Sequence, residues 1–373
     1  MEYKLLKDVA KITMGQSPES ASYNTDKDGL PFFQGNADFG EVYPHERIWC
    51  NAPKKIAEPG DILISVRAPI GALNYAKDKC CIGRGLAAIT IEDDAERNYV
   101  FHLLKARNAD LNNKGTGSTF KAIGKNVLEE VHIPQINRDE QQKCMYIMDL
   151  LESTIGKIKS QLDYFDNLIK ARFVEMFGDP ETSEKYPHIA VKQLTDVISG
   201  GTPDRKNNAY WENGTVPWVK TTELQNNRLS NIEEYITEKG LSESSAKIVP
   251  EGTVLIAMYG QGKTRGMTAI LDVPASTNQA CACLIPSEKV EADFLWQYMI
   301  MSYDRLRNLA QGGNQPNLNG NMIKNFTVLV PPKDKQVKFV EFVKQVDKSK
   351  VAVQKALDET QLLFDSLMQE YFG

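Results

Sequence analysis

Two long segments of this chain place apolar residues three and four positions apart. In the first, Met148, Leu151, Ile155, Ile158, Leu162, Phe165, Ile169 and Met176 form a stripe that Arg172 interrupts. In the second, Val343, Val346, Val353, Leu357, Phe364, Leu367 and Tyr371 form another, broken at Lys350 and Thr360. Charged residues fill the intervening positions. A mean spacing of 3.5 is the seam of a coiled coil. Neither segment holds a proline, so the spacing predicts two helices of about 39 residues, roughly 58 Å each at 1.5 Å per residue. A helix with one apolar stripe needs a partner, and the two supply it for each other, antiparallel. A second arrangement leaves each stripe packed on its own globular neighbour. Leu150, Ile147, Phe339 and Phe342 then stand on faces open to other proteins.

The two segments are copies. Arg138-Asp139-Glu140-Gln141 opens the first and Lys333-Asp334-Lys335-Gln336 the second, and an offset of 195 superposes them without a gap. The polar and apolar pattern between them repeats as well. Lys4-Leu5-Leu6-Lys7-Asp8-Val9 resembles Lys192-Gln193-Leu194-Thr195-Asp196-Val197. Leu30-Pro31-Phe32-Phe33-Gln34 answers Val216-Pro217-Trp218-Val219-Lys220. Pro59-Gly60-Asp61-Ile62-Leu63-Ile64 answers Glu251-Gly252-Thr253-Val254-Leu255-Ile256. Short apolar runs between turn residues predict a mixed, β-rich block in each copy, with one helix at 99–107 and one at 294–309. The expected organisation is an α+β protein: a globular block over 1–137, a helix over 138–178, a linker over 179–187, a second block over 188–332 and a second helix over 333–373. Gly178, Pro180 and Pro187 break the linker.

Composition narrows the class. The chain has 373 residues, 42% of them apolar and 25% charged, with formal net charge −5. It is long enough for two cores. No apolar run reaches membrane-spanning length, and Met1-Glu2-Tyr3-Lys4 lacks a signal-peptide pattern, so a cytoplasmic protein with no membrane partner is expected. The six cysteines form no CxxC pair and the four histidines are scattered, so no metal site is expected and buried thiols are. The acidic pairs Asp93-Asp94 and Glu233-Glu234 read as solvated faces.

One motif tempts. Gly262-Lys263-Thr264 follows an apolar run, as the end of a phosphate loop does. The first glycine of that motif falls on Ala257, and residues 265–273 read as a strand instead of the helix that cradles phosphate. A glycine-rich hairpin carrying Lys263 and Arg265 fits better. No GxSxG, no GxGxxG after an early strand and no methyltransferase tetrapeptide occurs, so no catalytic constellation is present.

The whole repeated order resembles the specificity subunit of type I restriction-modification systems. It comprises a Leu-x-Asp-Val opening, a Gly-Gly-Thr-Pro loop, a Pro-aromatic step, a Gly-Asp-Ile-Leu-Ile-Ser strand, an Ile-Pro or Val-Pro strand end and a long helix. That resemblance spans Leu5 to Gly373 and implies a non-catalytic DNA reader. Each block becomes a target recognition domain for one half of a split, asymmetric site, and the coiled coil sets the gap. The implied partners are double-stranded DNA, two methyltransferase subunits and restriction/translocase subunits. S-adenosylmethionine, ATP and magnesium belong to those partners, with none in this chain. Methylation at adenine N6 and ATP-dependent cleavage are the activities of the complex.

Residues suited to base edges or phosphates stand where the copies differ. The first block offers Gln34, Arg67, Arg84, Thr119 and Lys121. The second offers Lys220, Lys263, Arg265, Asn278, Gln279, Asn314, Gln315 and Asn317. Neither block is basic overall: residues 1–137 hold 17 basic and 18 acidic residues, and 186–332 hold 13 and 14. Positive charge is therefore local, and partners supply much of the phosphate contact. The rival readings are a nucleotide-binding protein built on Lys263 and a coiled-coil scaffold without a DNA role.

Overall fold

Proline-free, charge-flanked apolar periodicity produces two helices of 40 residues each, Arg138–Phe177 (central) and Lys333–Phe372 (distal), in the computed structural model. It describes residues 2–117, 121–260, 262–310 and 317–372. The central helix ends where Gly178 takes a positive φ of 85° and donates its N–H to Val174 O at 2.8 Å. Asp179 then ties off the turn, accepting from the Glu181 and Thr182 amides at 2.9 Å. Those amide bonds hold the Asp179 carboxyl below its ordinary pKa.

The chain divides into two units, Met1–Lys159 with Gln354–Gly373, and Ser160–Val353. Each contains one globular block and part of each long helix.

In the first unit a four-stranded antiparallel sheet runs Lys11–Met14, Leu86–Thr90, Ile62–Ser65, Leu73–Tyr75. A second sheet places Leu30–Phe33 parallel to Cys80–Ile82. Tyr3–Leu5 pairs with His132–Pro134, so the ends of the block meet just before the central helix begins. The core joins Leu6, Ile62, Ile64, Tyr99 and Leu103 to Cys144, Met148 and Ile155 of the central helix and to Phe364, Met368 and Phe372 of the distal helix.

The second unit repeats this plan. Its main sheet runs Val197–Ser199, Cys281–Leu284, Val254–Ala257, Thr268–Leu271, with one further strand, Asn227–Leu229, added in parallel. Val216–Val219 lies parallel to Ser276–Thr277. His188–Ala190 pairs with Thr327–Leu329. Here the long helices meet through Asp166–Lys350 at 2.6 Å, Arg172 over Phe342, and Phe173 against Phe339. One number rises as the other falls, so the two are antiparallel.

The turn glycines follow the repeat. Gly60 and Gly252 have φ of 87° and 80°, each one residue before the Asp or Thr that leads into a central strand. Only glycine holds that conformation without strain. Gly252→Ala is expected to destabilise the second unit by about 1 kcal/mol or more. Chemical unfolding of the full chain checks this, and an unchanged midpoint sinks it.

Several expectations change. The helix expected at 99–107 begins earlier, as Asp94–Ala106, because Asp93 caps it by accepting from Glu96 N at 3.0 Å. It is followed by a separate helix, Asn108–Asn113. Likewise 294–309 is two helices, Ala292–Met301 and Tyr303–Asn308, broken at Ser302. Asp93 is a cap and an ion-pair partner of Arg138 at 2.9 Å, not a solvated charge. Phe339 is fully buried, and Phe342 and Ile147 are half-buried, so of the four apolar residues offered to partners only Leu150 is exposed.

The seam is also corrected at its ends. Ile155, Ile169, Val346 and Phe364 are buried. Leu151, Ile158, Leu162, Phe165, Val353, Leu357 and Leu367 are half-buried. Past them, Phe173 and Phe177 take the buried positions instead of Met176, and Met368 and Phe372 instead of Tyr371. A 3.5 repeat keeps its seam facing a second helix, whereas a straight helix lying on a globular block buries every fourth residue.

Among the described residues no helix is long and apolar enough to cross a membrane, and no cluster of His, Cys, Asp or Glu is arranged to hold a metal. All six cysteines are buried and unpaired. Burial pushes the Cys80 thiol up to about 12 and Cys81 to about 11.

Candidate nucleic-acid interface

Each block turns one edge of its sheets outward through the same backbone frame. In the first block Gly83 N donates to Phe33 O at 2.8 Å, Val66 N to Gly85 O at 2.9 Å and Ile123 N to Val66 O at 2.9 Å. In the second, Asn278 N donates to Val219 O at 3.0 Å, Met258 N to Ala280 O at 2.8 Å and Leu318 N to Met258 O at 3.0 Å. Two further bonds match: Gly15 N to Leu86 O at 2.9 Å with Gly200 N to Cys281 O at 3.3 Å, and Gln16 N to Ile82 O at 3.0 Å with Gly201 N to Thr277 O at 2.8 Å. Backbone bonds fix where each neighbouring side chain leaves the chain.

That frame pairs the candidates. Gln34 matches Lys220, Arg84 matches Gln279, Arg67 matches Tyr259, and Ala122 matches Asn317. In the first block Gln34, Arg67, Arg84 and Lys121 are all exposed. They are also neighbours. Gly85 N donates to Gln34 O at 3.1 Å, Ala68 N to Lys121 O at 3.1 Å, and Arg67 bridges Ala122. Arg84 N reaches Ser17 Oγ at 3.3 Å. Four residues scattered over 88 positions of sequence thus share one edge.

The second edge is less uniform. Gln279 is exposed and accepts from the Thr202 hydroxyl. Asn278 is half-buried and uses its Oδ1 to hold Ala280 N at 3.2 Å, so it shapes the turn. Asn317 is half-buried beside Leu318. Lys220 is not a free cation: its Nζ lies 3.0 Å from Glu233 and 3.7 Å from Glu234. The hydrogen bond to Glu233 raises its pKa above the ordinary lysine value. Arg205 binds Glu234 at 2.8 Å, lowers that carboxyl's pKa and stacks over Trp211 at 3.8 Å. Glu233 and Glu234 are therefore engaged ion-pair partners, against the expectation of a solvated face.

Lys263 and Arg265 lie off the frame, in the connection between Val254–Ala257 and Thr268–Leu271. These strands are antiparallel neighbours, so the connection is the expected hairpin. Gly260, Gly262 and Gly266 all have positive φ. Lys263 is exposed, while its carbonyl accepts from Tyr303 Oη at 2.7 Å and that of Arg265 from Arg307 at 2.8 Å. A strand follows Gly262-Lys263-Thr264, so the helix N-terminus that binds nucleotide phosphate is not built there. Thr119, Asn314 and Gln315 lie outside the described residues.

Tyr259 is the residue that sequence reasoning passed over. It is 43% exposed at the position that Arg67 holds in the other block. The signal was present: Gly60 through Arg67 and Gly252 through Tyr259 align without a gap.

The ion pairs around Lys220 have a measurable consequence. Replacing Glu233 and Glu234 together by glutamine frees Lys220 and Arg205 and removes two negative charges. Duplex affinity is expected to rise several-fold at low salt, with a salt dependence steeper by about one to two released counterions. Titrations across a salt series test it; an unchanged slope overturns it.

A family model described as the type I restriction modification DNA specificity domain matches residues 1–163 and 184–360. The putative type I restriction enzyme MjaX specificity subunit of Methanocaldococcus jannaschii is 45% identical over 157 residues, covering 41% of this chain and 37% of that relative. The MjaIX specificity subunit of the same organism is 22% identical, covering 98% of this chain and 91% of that protein. The Escherichia coli EcoR124I/EcoR124II specificity subunit is 26% identical over 56% of this chain and 52% of its own length. Thus the matches span 37% of the first relative and 52% of the third. Among solved structures, a type I restriction-modification S subunit from M. genitalium superposes with a TM-score of 0.58 at 14% identity, covering 100% of this chain and 96% of that one. A chain from a study of complex assembly and conformational transition in the type I system gives 0.61 at 16%, with coverage of 100% and 97%. At such identities the likeness is one of fold.

Proposed function

This chain belongs to the type I restriction modification DNA specificity domain family, and we propose that it is the subunit that gives such a complex its DNA sequence. Each block reads one half of a split, asymmetric site, and the long helices set the gap. The observation that carries this reading is the duplicated edge: one backbone frame, presented twice, with unlike exposed side chains at matching positions. A reader of two unlike words requires that combination. Arginine suits guanine O6 and N7, and asparagine or glutamine suits adenine N6 and N7. The chain itself performs no chemistry. Its partners are double-stranded DNA, two methyltransferase subunits that bring S-adenosylmethionine, and nuclease/translocase subunits that bring ATP and magnesium. The setting is the cytoplasm.

The near-balanced charge of both blocks supports weak DNA binding by the chain alone, with tight binding in the assembled complex. Nanomolar, site-specific binding by the isolated chain at moderate salt would contradict this. The function itself is tested by sequencing modified bases in the host genome with and without the gene. Loss of N6-methyladenine from one split motif is expected, and a methylome that does not change sinks the reading.

A further inference from the structure

The repeat also duplicates a cleft, and in each copy a buried polar side chain lacks a partner. In the first unit a cavity of about 500 Å³ opens between the helix Asp94–Ala106 and the central helix. In the second, one of about 500 Å³ opens beside the helix Ala292–Met301, with Asp347 and Lys350 of the distal helix in its wall. The walls correspond at the single offset that superposes the long helices. Phe101 matches Trp296, His102 matches Gln297, and Glu152 matches Asp347.

His102 is 4% exposed and Gln297 6%. His102 Nε2 faces Asp149 Oδ1 at 3.5 Å, and its Nδ1 has no hydrogen bond. Burial lowers the His102 pKa, so the imidazole is neutral and Nδ1 is an acceptor when the Nε2 proton faces Asp149. Glu152 Oε1, another acceptor, stands 3.9 Å from that Nδ1 with no donor from this chain between them. The Gln297 amide makes no side-chain hydrogen bond among the described residues. An unsatisfied polar group in such a place destabilises the chain alone. Two at equivalent positions of a duplicated wall point to a ligand that arrives twice.

The chemistry selects that ligand. Glu41, Asp149 and Glu152 outnumber Lys105 in the first cleft, and Asp166, Asp304 and Asp347 outnumber Lys170 and Lys350 in the second. An acidic wall repels a nucleic-acid phosphate. A carboxylate, a neutral acceptor and an aromatic face together suit a guanidinium, which donates to the first two and stacks on the third.

We propose that the two clefts are equivalent sockets for one arginine-bearing segment of a partner protein, filled once by each of two methyltransferase copies. This rests on the proposed function and specifies where on each unit that partner is held. His102 and Gln297 are the residues that receive it.

The test uses the full chain and the methyltransferase, with copies counted by native mass spectrometry and affinity measured by titration. His102→Leu and Gln297→Met remove the unpartnered groups. Each is expected to leave the unfolding temperature unchanged or raised. Each should weaken one of the two binding events by about tenfold or more, so that one copy remains bound where the wild type holds two. The double variant should hold none under those conditions. The exchanges His102→Gln and Gln297→His restore an acceptor at each site and should keep both copies. Two copies at unchanged affinity in the leucine and methionine variants overturn the proposal. So does a clear fall in unfolding temperature in both, which would show that the side chains are satisfied within the chain. A wild-type chain that binds no methyltransferase overturns the proposed function itself.

Discussion

Replacing Tyr259 with arginine is expected to change one base of the second half-word in the methylated motif and nothing else. The first half-word and the spacing should be untouched. The argument is positional. Met258 and Val66 occupy the same place in the shared backbone frame, so Tyr259 and Arg67 leave it at the same point. A tyrosine there offers an apolar ring and one hydroxyl, whereas an arginine offers a bidentate fork to guanine. Each well-made bidentate contact discriminates by about 1–3 kcal/mol, a preference of roughly five- to a hundred-fold. The reciprocal Arg67→Tyr should relax one base of the first half-word. Methylome sequencing of cells carrying each variant reads both words at once. If Tyr259→Arg leaves the motif intact while Tyr259→Ala also does, the edge does not read bases at this point.

Removing one ring from the aromatic cluster of the second unit should give the largest loss of stability. Phe173 of the central helix is fully buried. Its ring lies 4.9 Å from Phe177, 5.9 Å from Phe294 and 5.5 Å from Phe339, centroid to centroid. Three segments far apart in sequence meet on it. Truncation leaves a cavity that stiff neighbouring rings cannot fill, so Phe173→Ala is expected to cost about 3–5 kcal/mol. For a unit of this size that lowers the melting temperature by roughly 6–20 °C. Phe165→Ala, one face earlier and half-buried, should cost much less. Calorimetry of the two variants compares them directly. Equal shifts would show that the buried cluster is no more important than the exposed seam.

Phe173 also marks what the sequence did not reveal. Its spacing of four from Ile169 and Phe177 breaks the 3.5 repeat, and a coiled-coil reading steps over it to Met176. The residue is buried because the helix end lies on the block and not on the other helix, and no local pattern states which surface a helix will meet. Lys220 is similar. As a lysine after a strand it looks free for DNA, yet Glu233 and Glu234, brought beside it by the fold, hold its ammonium.

The sequence by itself determined the two long helices, their shared offset, the duplicated blocks and the hairpin that is not a phosphate loop. These follow from period, proline and glycine, which act over a few residues at a time. Tertiary structure alone decided that Gln34, Arg67, Arg84 and Lys121 share an edge, that Tyr259 stands opposite Arg67 in the repeat, and that His102 and Gln297 are buried without partners. Each of those depends on backbone bonds between segments distant along the chain, and the energy of such a bond is not written in either segment alone.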